Sequence, residues 1–207
     1  MTRKAANGPI RNKERTKSNI LNALGEIIAK EGFSKLTIMK IAKKAGVDKK
    51  LIYMYWGGFD GIVKAYIDSR PFLDFSPMED KSNGSIGAKD TLNQFLEKYF
   101  DSLIENEEMS GIMAWKLSER LSPLQELDQK HEQWREELFK NMNEERLKDG
   151  DINCKAVGAI LMGGLYYLAI NRHSDNESFC GIDMKDQNGK QDIKKALKYI
   201  IECTYHN

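Results

Sequence analysis

The stretch AGVDKKLIYMYW, Ala45 to Trp56, decides the fold. Gly46 supplies a residue tolerant of positive φ where a chain must turn sharply, and Asp48 is a good cap for a helix that follows. Upstream, Thr37 is an N-cap for a short helix carrying Ile38, Ile41, Ala42 and Ala45. Ala42 is small enough to let two helices approach. Ile41, Ala45, Val47 and Ile52 fall where they would pack those helices on each other and on a preceding one. That spacing predicts a helix-turn-helix, whose second helix can enter a DNA major groove. Lys49 and Lys50 then lie on its first turn, and Tyr53 and Tyr55 can offer hydroxyls to phosphates and ring faces to thymine methyls.

Working outward, Ile20, Ala23, Leu24, Ile27 and Ile28 form one face of a first amphipathic helix, which Gly32 closes. Gly57-Gly58 breaks the chain before a fourth helix with Ile62, Val63 and Tyr66, ended by Pro71. Residues 1–13 read as a disordered basic arm, with Gly8-Pro9 stopping any structure. Pro71 to about Ala88 reads as a loop. A fifth helix carries Leu92, Phe95, Leu96, Tyr99 and Leu103, and a segment near 111–121 follows. Ser122-Pro123-Leu124-Gln125 opens a helix to about Lys148. Asp151 or Asn153 opens an unusually apolar helix to about Arg172. Residues 174–190 read as loop, and Ile193, Ala196, Leu197, Ile200 and Ile201 mark a last amphipathic helix. No strands are required, so the expected fold is all-α, and there is no internal repeat.

The charge distribution supports two tasks. Of the 207 residues, the first 64 carry 14 Lys+Arg against 5 Asp+Glu, a net of +9; the remainder carry 18 against 26, a net of −8. A basic head on an acidic body suggests that the head binds a polyanion. The longest apolar stretch, 156–170, is short for a bilayer span, no secretory signal is visible, and three cysteines are too few for a disulfide scaffold. A cytoplasmic, nucleoid-associated location is expected, with no membrane partner. A small helical enzyme is the alternative class, but the chain has no G-x-G-x-x-G, P-loop, H-E-x-x-H or nucleophile elbow. A peripheral membrane or partner-binding protein is the third, but residues 1–13 have no apolar anchor. No catalytic residues, cofactor or metal are expected. His131, near Asp128 and Glu132, has no second histidine beside it and reads as an exposed helix residue.

Residues 15–66 resemble the DNA-binding domain of the TetR family of bacterial transcriptional regulators. The carrying residues are Ile20, Ala23, Gly32-Phe33, Leu36-Thr37, Ile41-Ala42, Ala45-Gly46-Val47, Leu51-Ile52-Tyr53, Tyr55-Trp56 and Asp60. The resemblance implies a three-helix head over 14–58 and a helical ligand-binding and dimerisation body over 59–207. It implies that Lys17 and Thr37 face phosphate and that Lys49, Lys50, Tyr53 and Tyr55 lie on the recognition helix. Asp48 stands in place of the usual serine, Trp56 replaces the usual phenylalanine, and Phe59 replaces a lysine that often contacts phosphate. The expected function is a ligand-responsive regulator, a repressor, that binds a palindromic DNA operator as a homodimer and is released by a small, partly apolar effector. The helices near 156–170 and 191–204 would build the dimer interface. Tyr99, Met113 and Trp115 are the candidates for the effector pocket, on the ground that apolar and aromatic side chains line such sites.

Overall fold

The computed structural model describes residues 9–73, 88–142, 153–171 and 178–204. The first helix, α1 (Pro9–Glu31), begins at Pro9, inside the stretch expected to be a disordered arm. Proline is well suited to a first helical position, since its fixed φ is already helical and its missing N–H would have no partner there. Residues 1–8 of that expected arm lie outside the described residues.

After a single 3-10 turn at Phe33–Lys35, α2 (Ile38–Ala45) starts on Thr37, whose hydroxyl accepts from the Lys40 N–H at 3.2 Å. It ends at Gly46 in the left-handed region, φ 67°. Asp48 then accepts from the Lys50 N–H at 2.8 Å and opens α3 (Lys50–Trp56). Gly57 and Gly58 turn the chain into α4 (Phe59–Asp68). The four helices share one core: Ile20, Leu24, Ile27, Ile41, Ile52, Ile62 and Tyr66 are buried.

The body follows as α5 (Ala88–Glu105), α6 (Glu107–Ser118), α7 (Ser122–Met142), α8 (Cys154–Asn171) and α9 (Gln187–Thr204). Asn106 caps α6 by accepting from the Met109 N–H at 3.0 Å, and Asn153 accepts from the Lys155 N–H at 2.9 Å at the start of α8. The expected end of α7 near Lys148 and the loop after Leu73 fall outside the described residues. The sequence reading of 174–190 as loop needs correction. A short hairpin stands there, β1 (Ser178–Phe179) against β2 (Ile182–Asp183), turning through Cys180-Gly181. Two-residue strands are too short to show an alternating pattern, and the fold remains all-α.

Head and body are joined by close packing of α6 on α1. Two glycines permit it: a Cβ at Gly111 would stand 2.6 Å from Ile28 Cγ2, and one at Gly25 would stand 2.7 Å from the Glu108 carboxylate. Arg70 at the end of α4 pairs with Glu108 at 3.0 Å, and the Tyr66 hydroxyl donates to the same carboxylate at 2.6 Å. No helix among the described residues is long and apolar enough to cross a membrane.

Candidate DNA-reading helix and effector cavity

The recognition helix α3 is anchored by the buried Ile52, so Tyr53 and Met54, the next two residues, project outward. Tyr53 is 53% exposed, and Lys49 and Lys50 are exposed at the same helix's start. Thr37, at the start of α2, is exposed as well. Tyr55 is different. It is half-buried, its ring stands edge-on to Trp56, and the ammonium groups of Lys13 and Lys17 lie 5.6 and 5.9 Å from its centroid. Lys17 also pairs with Glu14 at 3.2 Å. Tyr55 thus ties α1 to α3 through cation–π contact. Met54 and Met39 are exposed apolar side chains on α3 and α2 that sequence reasoning passed over. A methionine at helical spacing ordinarily belongs to a core, so only exposure reveals them.

Tyr99, Met113 and Trp115 do not come together as a pocket wall. Trp115 is buried at the head–body junction, its ring 6.1 Å from that of Phe33 and 6.3 Å from that of Phe59, and its indole N–H donates to Glu119 at 3.0 Å. Met113 is buried in the core. Tyr99 is buried against Tyr166, with ring centroids 5.6 Å apart and nearly perpendicular. Burial raises the pKa of both phenols above the ordinary value, so both stay protonated.

The cavity lies beside them, between α7, α8 and the end of α6, and measures about 790 Å³. Phe139, Met162, Tyr166 and Ile170 supply its apolar wall, and Lys116, Asp128, Glu132 and Arg135 its polar one. Lys116 pairs with Asp128 at 2.6 Å, and Arg135 donates to Glu132 from Nε and Nη2 at 2.9 and 2.6 Å. Burial pulls the Lys116 ammonium below its usual range, with Asp128 opposing; burial also works against the Asp128 carboxylate, yet Lys116 holds it below the carboxylate range. In sequence, Asp128, Glu132 and Arg135 look like any solvated helix face. Only the neighbouring apolar α8 turns that face into a wall.

His131 is not the exposed helix residue expected. It is 2% exposed, and its Nε2 donates to the Leu73 carbonyl at 3.0 Å, pinning the turn after α4 to α7. A carbonyl can only accept, which fixes the proton on Nε2. Among the described residues no group of three metal-ligating side chains is found.

A helix-turn-helix head with an outward-facing second helix, docked on an all-helical body with a cavity, defines a class of DNA-binding regulator. Residues 20–66, the helix-turn-helix head, match the family model described as bacterial regulatory proteins, tetR family. Among solved structures the chain is similar to a TetR family transcription regulator from Marinobacter aquaeolei VT8 (16% identity, 96% of this chain and 100% of the other, TM-score 0.63). It is also similar to NalD, the secondary repressor of the MexAB-OprM multidrug efflux pump in Pseudomonas aeruginosa (17%, 95% and 98%, 0.62). A third is the transcriptional regulator FadR from Bacillus subtilis in complex with stearoyl-CoA (18%, 87% and 96%, 0.61). At these identities the likeness is one of fold. A search of curated protein sequences finds no match.

Proposed function

We propose that this chain is a ligand-responsive repressor that binds a two-fold symmetric operator as a homodimer and lets go when the cavity fills. The carrying observation is the pairing of an exposed Tyr53 with Lys49 and Lys50 on a helix whose other side is fixed by Ile52. The side chains that reach outward are donors to phosphate and a ring for base edges, on a rigid element. Lys17 and Thr37 would touch the flanking backbone, and Tyr55 would hold α1 and α3 in register. Two neighbours in fold are named as a repressor and as an acyl-CoA-bound regulator, which is compatible with repression and with an apolar effector. Such a protein works in the cytoplasm, on the nucleoid.

Dimerisation would use α8 and α9. Ile160, Tyr167, Tyr199 and Ile200 are exposed apolar side chains on these two helices. A Cβ at Gly164 would meet nothing in the protomer, so the chain's own packing does not require glycine there. A partner helix passing close by would. Ile160→Asp places a charge on that face, where an unpaired buried charge would be costly in a dimer. Sedimentation equilibrium should show the wild type as a dimer and Ile160→Asp as a monomer with its helical circular dichroism intact. Gly164→Leu should weaken pairing in the same assay. A dimer indifferent to both substitutions places the interface elsewhere.

The switch requires an effector that binds more tightly to the conformation unable to sit on DNA. Trp115 is placed to carry it, since it stands on α6 next to the cavity-lining Lys116 and packs on the rings of Phe33 in the head and Phe59 at the start of α4. Phe59, where the family resemblance implies a lysine that often contacts phosphate, contributes packing across the junction instead.

A further inference from the structure

The paired charges on the cavity wall differ in exposure. In each of these pairs the cation is the sheltered partner and the carboxylate the exposed one: Lys116 is 9% exposed against 55% for Asp128, and Arg135 is 21% against 60% for Glu132, while Glu136 and Lys155 stand exposed at the same lining. Tyr166 adds a hydroxyl on the same wall, and the charge of Arg135 acts on both Tyr166 and Tyr99. A ligand seated on this wall therefore meets sheltered donors whose own carboxylate partners are turned to solvent.

This arrangement discriminates between ligands. A cationic head would take Asp128 or Glu132 away from its partner and strand a sheltered ammonium or guanidinium, a heavily penalised state. A neutral head neither gains nor loses much. An anionic head adds an acceptor to groups that carry three and five N–H donors and need not break either pair. The remaining volume, walled by Phe139, Met162 and Ile170, suits a flexible apolar tail.

We propose, on the reading that this cavity is the effector site, that it takes an amphipathic anion whose head sits on Lys116 and Arg135 and whose tail lies along α8. The head is a carboxylate or an equally compact oxyanion. The tail is a hydrocarbon chain or ring system.

The test is calorimetric titration of the full chain with decanoate, 1-decanol and decylammonium, which share a tail and differ in the head. Decanoate should bind about tenfold more tightly than decanol, the scale of one hydrogen bond to a charged group. Decylammonium should be weakest. Lys116→Met should bring decanoate to the affinity of decanol and leave decanol unchanged. Asp128→Asn removes an exposed competitor for Lys116 and should tighten decanoate, which gives a variant whose gain no folding defect can imitate. Decanoate and decanol binding alike, or decylammonium binding best, would overturn the anionic head while leaving the cavity as a ligand site. Failure of all three to bind would overturn the effector reading of the cavity together with this proposal.

Discussion

Trp115→Ala is expected to lower the unfolding free energy by about 3–5 kcal/mol, the range for truncating a large buried aromatic. The side chain is almost wholly buried, between Phe33 after α1 and Phe59 at the start of α4, so its loss leaves a cavity at the head–body junction. Neighbouring backbone has little room to collapse into that space, because Gly111 already sits against Ile28 on one side of the junction. The indole N–H also leaves Glu119, but that carboxylate belongs to an exposed residue and water can replace the donor. The cost is therefore chiefly packing. Urea unfolding followed by circular dichroism measures it, and Trp115→Phe should recover part of the loss by keeping a ring between the other two. A change below about 1 kcal/mol for Trp115→Ala would mean that this junction contributes little to the fold.

The second large effect is acid lability traceable to His131. Burial pushes its pKa down to about 4 from 6.5, with nearby Lys116 and Arg135 adding to the shift and the Leu73 carbonyl and Asp128 opposing it. The folded protein thus binds this proton less well than the unfolded chain does. The sign follows: the contribution is fully present above about 6.5 and is lost as pH falls toward about 4. Between roughly pH 7 and pH 5 this one group should cost about 2 kcal/mol of stability. His131→Gln can keep a donor to Leu73 and cannot titrate, so it should flatten the slope in that window. An unchanged slope in the variant would assign the acid sensitivity to other groups. The site matters for more than stability, because His131 pins the turn that follows α4 and so joins head to body.

The head was legible because its determinants are local. Thr37, Gly46 and Asp48 act within three residues of where they stand, and the capping bonds of Thr37 and Asp48 are present in the structure. The apolar spacing of α1, α5 and α9 likewise gave those helices. The body's cavity was not legible, because it depends on which helix faces lie together across long sequence separations. Lys116 and Asp128 meet through the packing of α6 on α7, and no period along the chain announces it. Aromatic content pointed instead to Trp115, which is large and apolar for the sake of the junction. His131 shows the same limit: its neighbours in sequence are charged, and its burial comes from Leu73, far away along the chain. Pro9 was misread for a different reason, since proline both ends and begins helices and only the residues after it decide which.

Selection of binding sites from a random duplex pool, wild type beside Tyr53→Ala at near-physiological salt, tests the central claim most directly. A dimeric regulator reading DNA through α3 predicts a two-fold symmetric consensus with half-sites about one helical turn apart, or a multiple of it. Tyr53→Ala should fail to enrich that sequence while keeping weak, salt-sensitive binding through its lysines. No enriched sequence for the wild type, with or without an anionic amphiphile present, or an identical consensus from the variant, would contradict it.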